Sequence, residues 1–307
     1  MRLIMRDTGC IHPVNGIFIM EQQTGNSITK KGVIRAANCC PDNINVNMNY
    51  REFVIKKLKN ISLWRYILLL LLLVFLAINS CVFLRLNGVI PTFYELCLSQ
   101  LNDISIILFP ITITFFLLSC DFYSNGSDFD CKLLAKIASI KSITYYFLYA
   151  MILSAVFLVF FLGVNLLVSL VGGDSNIFSS RWNIGFAENM APVEALGLSL
   201  IYVELRFVFL LMIIEFVNLL INIPWGFLVA FSFSFIDWSY YYLCNSSIYF
   251  QITLIEHTLV TYDQSLLSVG SRPLPLWSIM YWMILIFIVL ILIYFVRKVR
   301  KKQCVNT

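Results

Sequence analysis

Three long apolar runs without a charged side chain constrain the fold of this chain most strongly. They cover residues 66–84, 143–171 and 274–296. A helix crosses the hydrocarbon core of a bilayer with about 17 to 25 mostly apolar residues, so each run is long enough to span it. Only 13% of the residues are charged and 60% are hydrophobic, whereas soluble domains carry about 25% charged residues. A water-soluble protein is therefore excluded.

Three further spans are expected, although their sequence signals are weaker. Residues 102–120 form a shorter run in which Pro110 predicts a kink. The region from Glu194 to Leu243 contains charged residues, and the turn sequence "NIPWG" at 222–226 divides it into spans at 204–221 and 224–243. The expected fold class is an all-α integral membrane protein with six transmembrane helices, at about 66–84, 102–120, 143–171, 204–221, 224–243 and 274–296.

The positions of Lys and Arg predict the orientation of these spans. With a cytoplasmic N-terminus, thirteen Lys and Arg residues between Arg51 and Lys302 fall on the cytoplasmic side, and only Arg85, Arg181 and Arg272 fall outside. Cytoplasmic loops are enriched in these residues. We therefore expect a multi-pass protein of the cytoplasmic membrane with both termini in the cytoplasm.

The chain changes character near Met48. Residues 1–47 lack periodicity, and they are either a disordered tail or an extension upstream of a start at Met48, which leaves 48–307 as the transmembrane domain. Beyond Met48, apolar residues recur at helical spacing and predict an amphipathic helix at the lipid interface, although a simple basic flank is the alternative. The apolar residues are Tyr50, Phe53, Val54, Leu58 and Ile61.

A second amphipathic segment lies between the second and third spans. Residues 127–141, here called the docking segment, follow the turn sequence "SNGSD", in which Ser127 or Asp128 can cap a helix. Such a helix either docks a cytoplasmic partner or is a surface helix without one. The residues assigned to docking are Asp128, Phe129, Lys132, Leu133, Lys136, Ile137 and Ile140.

Motifs for catalysis or metal binding are missing from the sequence. The two histidines, His12 and His257, are expected on opposite sides of the membrane, and the nine cysteines are scattered without a CxxC pair. No GxxxxGK[ST] motif occurs, so this chain cannot hydrolyse ATP through a P-loop. We expect no enzyme activity, no metal site and no catalytic residues.

Polar residues in the fourth span form one stripe. Glu204 and Glu215 are separated by about 20° around a helix, and Asn218 and Asn222 lie within about 40° of the same line. The stripe lines a conduit or partner interface, joins helices structurally through Glu215, or carries protons. Arg206 points the other way, and we expect it to snorkel to water near the outer boundary.

This layout resembles the membrane subunits of type-two ABC exporters, in particular the small permeases of lantibiotic immunity and peptide export. The shared features are the helix at 50–62 leading into the first span, the docking segment, the "NIPWG" turn and a long outer segment before the sixth span. The resemblance covers residues 48–307. The cytoplasmic loop departs from the family pattern, because Asp121, Gly126 and Lys136 or Lys141 could replace some family residues but the usual Arg is absent.

The resemblance implies a bacterial transporter subunit that exports or expels a peptide or another amphipathic substrate. Separate ATPase subunits would bind Mg-ATP and dock on residues 127–141 and 50–62, and a second permease chain, identical or related, would complete the pathway. This chain would bind lipid but no cofactor and no nucleic acid. The alternatives are a proton-coupled transporter using Glu204 and Glu215, and a membrane protein that confers immunity by binding without transport.

Overall fold

The computed structural model describes most of the chain after residue 60, and every regular element in it is a helix. The described residues are 55, 58–59, 61–124, 139–172, 191–221, 223–243, 254, 257–259 and 274–306. The predicted tail at 1–47 and residues 127–138 of the docking segment lie outside this set. The expectation of an all-helical protein is confirmed for the part described.

Seven helices follow one another along the described chain. They are α1 Leu63–Leu86, α2 Phe93–Leu101, α3 (a continuous run of Ile104–Ile106, Ile107–Ile111 and Thr112–Ser124), α4 Ser139–Gly172, α5 Pro192–Leu220, α6 Ile223–Leu243 and α7 Leu274–Asn306.

Gly88 turns the chain between α1 and α2. It adopts a positive φ of 73° directly after the capping residue Asn87, a conformation that glycine adopts without steric cost. The Val89 N–H then donates to the Leu84 carbonyl at 2.9 Å, which satisfies one of the last carbonyls of α1. The Thr92 hydroxyl accepts from the Glu95 N–H at 3.3 Å and so caps the start of α2.

Helices α2 and α3 form a sharply bent pair. They meet at 73° across Asn102 and Asp103, and the Asp103 carboxylate accepts from the Ile106 N–H at 3.0 Å to begin α3. Around Pro110, where a kink is expected, the segment Ile107–Ile111 is a π-helical turn. The large change in direction comes earlier, at the two polar residues that end one helix and cap the next.

Three described helices are long and apolar enough to cross a membrane. They are α1, the segment Ile140–Gly172 of α4 and the segment Leu276–Val299 of α7, and the bent pair α2–α3 is a fourth if it crosses as a single span. The protein therefore has the architecture of a membrane-embedded helical bundle. The six-span count and the orientation stay predictions.

Helix α5 lies at the centre of the bundle, in contact with α2, α4, α6 and α7. It begins at Pro192, twelve residues before the predicted start at 204. Pro at the first helical position has a suitable fixed φ, and the Glu194 carboxylate accepts from the Ala191 N–H at 3.4 Å. The Phe207 ring stacks on Phe115 of α3 with centroids 4.0 Å apart, so this part of the helix is enclosed by protein.

Candidate functional site

A buried ion pair joins α5 and α7. The Arg297 Nη2 atom lies 2.6 Å from the Glu215 Oε1 atom, and the two side chains are 3% and 5% exposed. Removing a single ion of this kind from water costs several kcal/mol, so each charge needs the other at this depth. Glu215 lies five residues before the end of α5, and Arg297 follows the long apolar part of α7.

Arg297 also contacts the first two turns of α4. Its Nη1 atom donates to the Ser142 hydroxyl, and the guanidinium carbon lies 4.7 Å from the centroid of the Tyr146 ring, a cation–π distance. Ser142, Tyr146, Glu215 and Arg297 are here called the Arg297 site. This site ties three helices together through one planar guanidinium group.

The Arg297 site lies at the bundle end assigned to the cytoplasm by the count of Lys and Arg residues. It contains the beginning of α4 and residues near the ends of α5 and α7. Arg65, near the beginning of α1, donates to the Leu117 carbonyl of α3 at 2.9 Å. Because Ser142 follows directly after residue 141, the last of the docking segment, this segment is covalently continuous with the Arg297 site.

Arg206 forms a second buried polar contact, and the expectation that it snorkels to water is wrong. It is 1% exposed, and its Nη2 atom donates to the Ser234 hydroxyl of α6 at 2.8 Å. Its Nη1 atom donates to the Ile107 carbonyl at 3.3 Å, which also accepts from the Thr112 hydroxyl at 2.7 Å. Asp237 attracts the guanidinium electrostatically. Internal partners replace water here, because α5 is central in the bundle.

Asp237 connects this cluster to the segment before α7. Its Oδ1 atom accepts from the Leu254 N–H at 3.1 Å. Nearby, the His257 ring stacks on Tyr281 with centroids 3.8 Å apart, and the Trp282 indole N–H donates to the His257 carbonyl at 2.8 Å. The described residues of the last predicted outer loop therefore pack among the helices.

The structure separates the residues of the predicted polar stripe. Glu204 is half-buried near the middle of α5 and makes no hydrogen bond or ion pair with another described residue. Glu215 is enclosed by protein and paired with Arg297. Asn218 is half-buried, and Asn222 lies outside the described residues. Glu204 and Glu215 thus have different environments although they share one side of the helix.

Few residues of the two predicted amphipathic segments are described. Ile140 of the docking segment is 66% exposed, whereas Asp128, Phe129, Lys132, Leu133, Lys136 and Ile137 lie outside the described residues. In the predicted interfacial helix, Ile61 is 5% exposed within the main apolar core and Leu58 packs against it. Tyr50, Phe53 and Val54 also lie outside the described part.

Sequence reasoning missed Arg297 and Ser142 as members of a site. Arg297 is the first of five cations within six residues, a pattern that reads as a positive flank of a span. Its one distinguishing signal is its position next to the apolar run, at a depth where a carboxylate on another span could reach it. Ser142 carries no sequence signal of its own.

Within the described residues, no group of three or more His, Cys, Asp or Glu side chains could hold a metal ion. Comparisons with protein-family models, characterised proteins and solved structures find no match to this chain. The fold and the polar contacts thus define the chain at the level of class, as a helical membrane-embedded protein in which a buried ion pair joins α5 and α7.

Proposed function

We propose that this protein is the membrane subunit of an ABC transporter that exports or expels a peptide or another amphipathic substrate. A separate subunit binds Mg-ATP and hydrolyses it. The chain lies in the cytoplasmic membrane of a bacterium and pairs with a second permease chain to enclose the pathway. The support comes from the helical membrane architecture and from the way the cytoplasmic segments connect to it.

The observation that carries this proposal is the Arg297 site. A subunit driven from outside must transmit the movement of its partner into the helices around the pathway, which requires a rigid connection. Arg297 bonds Ser142, the residue directly after the docking segment, and pairs with Glu215 of the central helix. A force on residues 127–141 therefore has a direct route into α4, α5 and α7.

Two further observations agree with this role. Ile140, a member of the apolar side of the docking segment, is 66% exposed, so its side chain is accessible to a partner. Leu58 and Ile61 of the predicted interfacial helix contact the core, so this second segment is also attached to the bundle.

The proposal is tested by isolating the protein with its partner. A tagged chain purified in mild detergent from its native cell is expected to bring a P-loop ATPase with it in stoichiometric amount. Leu133→Asp combined with Ile137→Asp places two charges on the apolar side of the docking segment and should release the ATPase. Ala135→Asp combined with Ala138→Asp is the matched control, because it adds the same charge on the opposite side.

Retention of the ATPase by both double variants would reject the docking assignment. If no ATPase accompanies the native protein, even after crosslinking in the membrane, the transporter assignment itself is rejected. The amount of each variant in the membrane fraction must match that of the native chain, so that loss of the partner is not confused with loss of insertion.

Glu204 favours proton-coupled transport as a second candidate function. It is half-buried near the middle of α5 and has no hydrogen-bond or ion-pair partner among the described residues, so no ion pair within that part of the chain has to break when it releases or rebinds a proton. This mechanism predicts transport that continues without ATP, is driven by a pH gradient and is lost in Glu204→Gln. Transport that ceases when ATP is depleted while the pH gradient persists would reject it.

A further inference from the structure

One amide side chain lies on the outward surface of α1. Asn79 is exposed, and its amide has no hydrogen-bond partner in the described part of the chain. The neighbouring exposed side chains are large and apolar, with Phe75 71% exposed and Phe83 64% exposed. Apolar side chains are expected on a surface that faces lipid, but an amide is not.

The depth of Asn79 makes its exposure costly in lipid. The 24 residues of α1 extend over about 36 Å, which places Asn79 roughly 7 Å from the middle of the helix. The hydrocarbon core extends about 15 Å to each side of its centre. The Asn side chain is too short to reach the headgroups, and lipid tails offer no hydrogen bond. In the conformation of this structure, the amide is therefore satisfied only if another protein surface covers it.

Asn79 belongs to a line of residues with the spacing of a helix–helix seam. Leu72, Phe75, Asn79, Val82 and Leu86 follow one another at alternating intervals of three and four residues, as the core positions of a coiled coil do. Val82 is 49% exposed and Leu86 is 82% exposed. These five residues are here called the Asn79 seam.

We infer that the Asn79 seam packs against the α1 helix of a second copy of this chain. Two copies insert in the same orientation, so their α1 helices are parallel and their Asn79 residues lie at equal depth. A two-fold axis along the membrane normal brings the same patch of both copies together. An amide both donates and accepts a hydrogen bond, so Asn79 complements itself across this axis. One polar residue in an apolar seam also fixes the register.

The proposed function includes a second permease chain. This inference makes that chain an identical copy and assigns the Asn79 seam as the surface that it binds. It rests on the proposed function only in that α1 spans a membrane. If no ATPase partner is found, the inferred dimer is unaffected. If no dimer is found, the proposed ATPase interaction is unaffected, so the two tests can fail independently.

Disulfide crosslinking between two differently tagged copies tests the seam. Asn79→Cys, coexpressed in both tagged forms and oxidised in native membranes, should give a dimer band that carries both tags, because facing seam positions meet the distance requirement of a disulfide. Val74→Cys is the matched control. This residue is on the same helix and is 38% exposed, but it points about 140° away from Asn79. The unaltered chain shows any crosslink through its native cysteines.

The expected result is a crosslink for Asn79→Cys only, with mass spectrometry showing that it joins the two introduced thiols. Equal crosslinking of Val74→Cys would overturn the inference. A bond from the introduced thiol to another protein or to a cysteine of the same chain would overturn it too, because a different occupant would then cover the seam.

A second measurement tests the amide itself. In vesicles of phosphatidylcholine and phosphatidylglycerol, dilution with lipid shifts the monomer–dimer equilibrium of the fluorescently labelled chain. Asn79→Leu should raise the dimer dissociation constant about 3- to 30-fold, the range expected from one lost hydrogen bond between membrane helices. Val74→Leu should leave it unchanged. An unchanged constant in Asn79→Leu would show that the amide does not hold the dimer.

Discussion

Arg297 holds three helices through three different contacts: an ion pair with Glu215, a hydrogen bond to Ser142 and a cation–π contact with Tyr146. A lysine in the same place would present a single ammonium group, which cannot reproduce the planar fork of a guanidinium. The arrangement is therefore specific to arginine. Its contribution to stability depends on every partner being present, because an unpaired buried charge is costly.

Substitution of one partner of the ion pair should destabilise the protein more than substitution of both. Glu215→Leu or Arg297→Met alone leaves an uncompensated buried charge and should lower the free energy of unfolding by about 3 to 5 kcal/mol. The double variant removes both charges and should recover most of this loss. Lys298→Met is the control, since this neighbouring cation is exposed. Unfolding by SDS from mixed micelles measures all four variants, and additive losses in the double variant would contradict the coupling.

At the level of residues, sequence reasoning found Glu215 but not its basic partner. Glu215 stands out because a carboxylate in an apolar span needs an explanation. Arg297 belongs to a run of cations at the end of a span, and only its position next to the apolar run distinguishes it from the others. Arg206 was assigned to the outer boundary because span 204–221 was expected to begin there. The error in its environment thus follows from the error in the helix start.

Among the described glycines, Gly226 of α6 makes the closest approach to a neighbouring helix, which is α5. A Cβ atom added to Gly226 would lie 2.8 Å from the Ile214 carbonyl oxygen and 3.2 Å from the Ile214 Cα atom. Backbone atoms cannot move aside as the end of a flexible side chain can. Gly226 therefore sets the distance between the central helix and α6, close to the turn that joins them.

Gly226→Ala should separate α5 from α6 and lower the free energy of unfolding by roughly 1 to 3 kcal/mol, the usual cost of overpacking. Gly163→Ala in α4 is the matched control, because a Cβ atom there meets nothing within 4 Å and alanine is the better helix former. Thermal unfolding in detergent compares the two variants. Equal melting temperatures would show that the close approach at Gly226 does not determine stability.

At the level of helices, the long apolar elements could be predicted and the broken ones could not. The run at 66–84 lies inside α1 (Leu63–Leu86), and the run at 143–171 lies inside α4 (Ser139–Gly172). The start of α5 was placed too late, at 204 instead of Pro192. The bend at Asn102 and Asp103 depends on a capping carboxylate, a local signal that is also common in ordinary loops.

On the scale of the whole molecule, composition was sufficient for the class but not for the contacts. An all-helical, membrane-embedded protein follows from the apolar runs and the scarcity of charge. Which helix is central does not follow, because α5 carries more charged residues than α1 and yet lies inside the bundle. Pairs such as Glu215 with Arg297 are 82 residues apart, and no local pattern in the sequence connects them.

The orientation of the chain is a prediction for the whole molecule, and it can be tested with fusions. Thirteen Lys and Arg residues lie on one predicted side of the membrane, whereas Arg85, Arg181 and Arg272 lie on the other. This distribution predicts that both termini are in the cytoplasm. A fluorescent protein fused after Thr307 should therefore fluoresce, and alkaline phosphatase at the same point should be inactive. Phosphatase inserted at residue 180, between α4 and α5, should be active. An active phosphatase after Thr307 would mean an odd number of crossings if the N-terminus is cytoplasmic, and it would place the Arg297 site at the outer end of the bundle, where no ATPase could act on it.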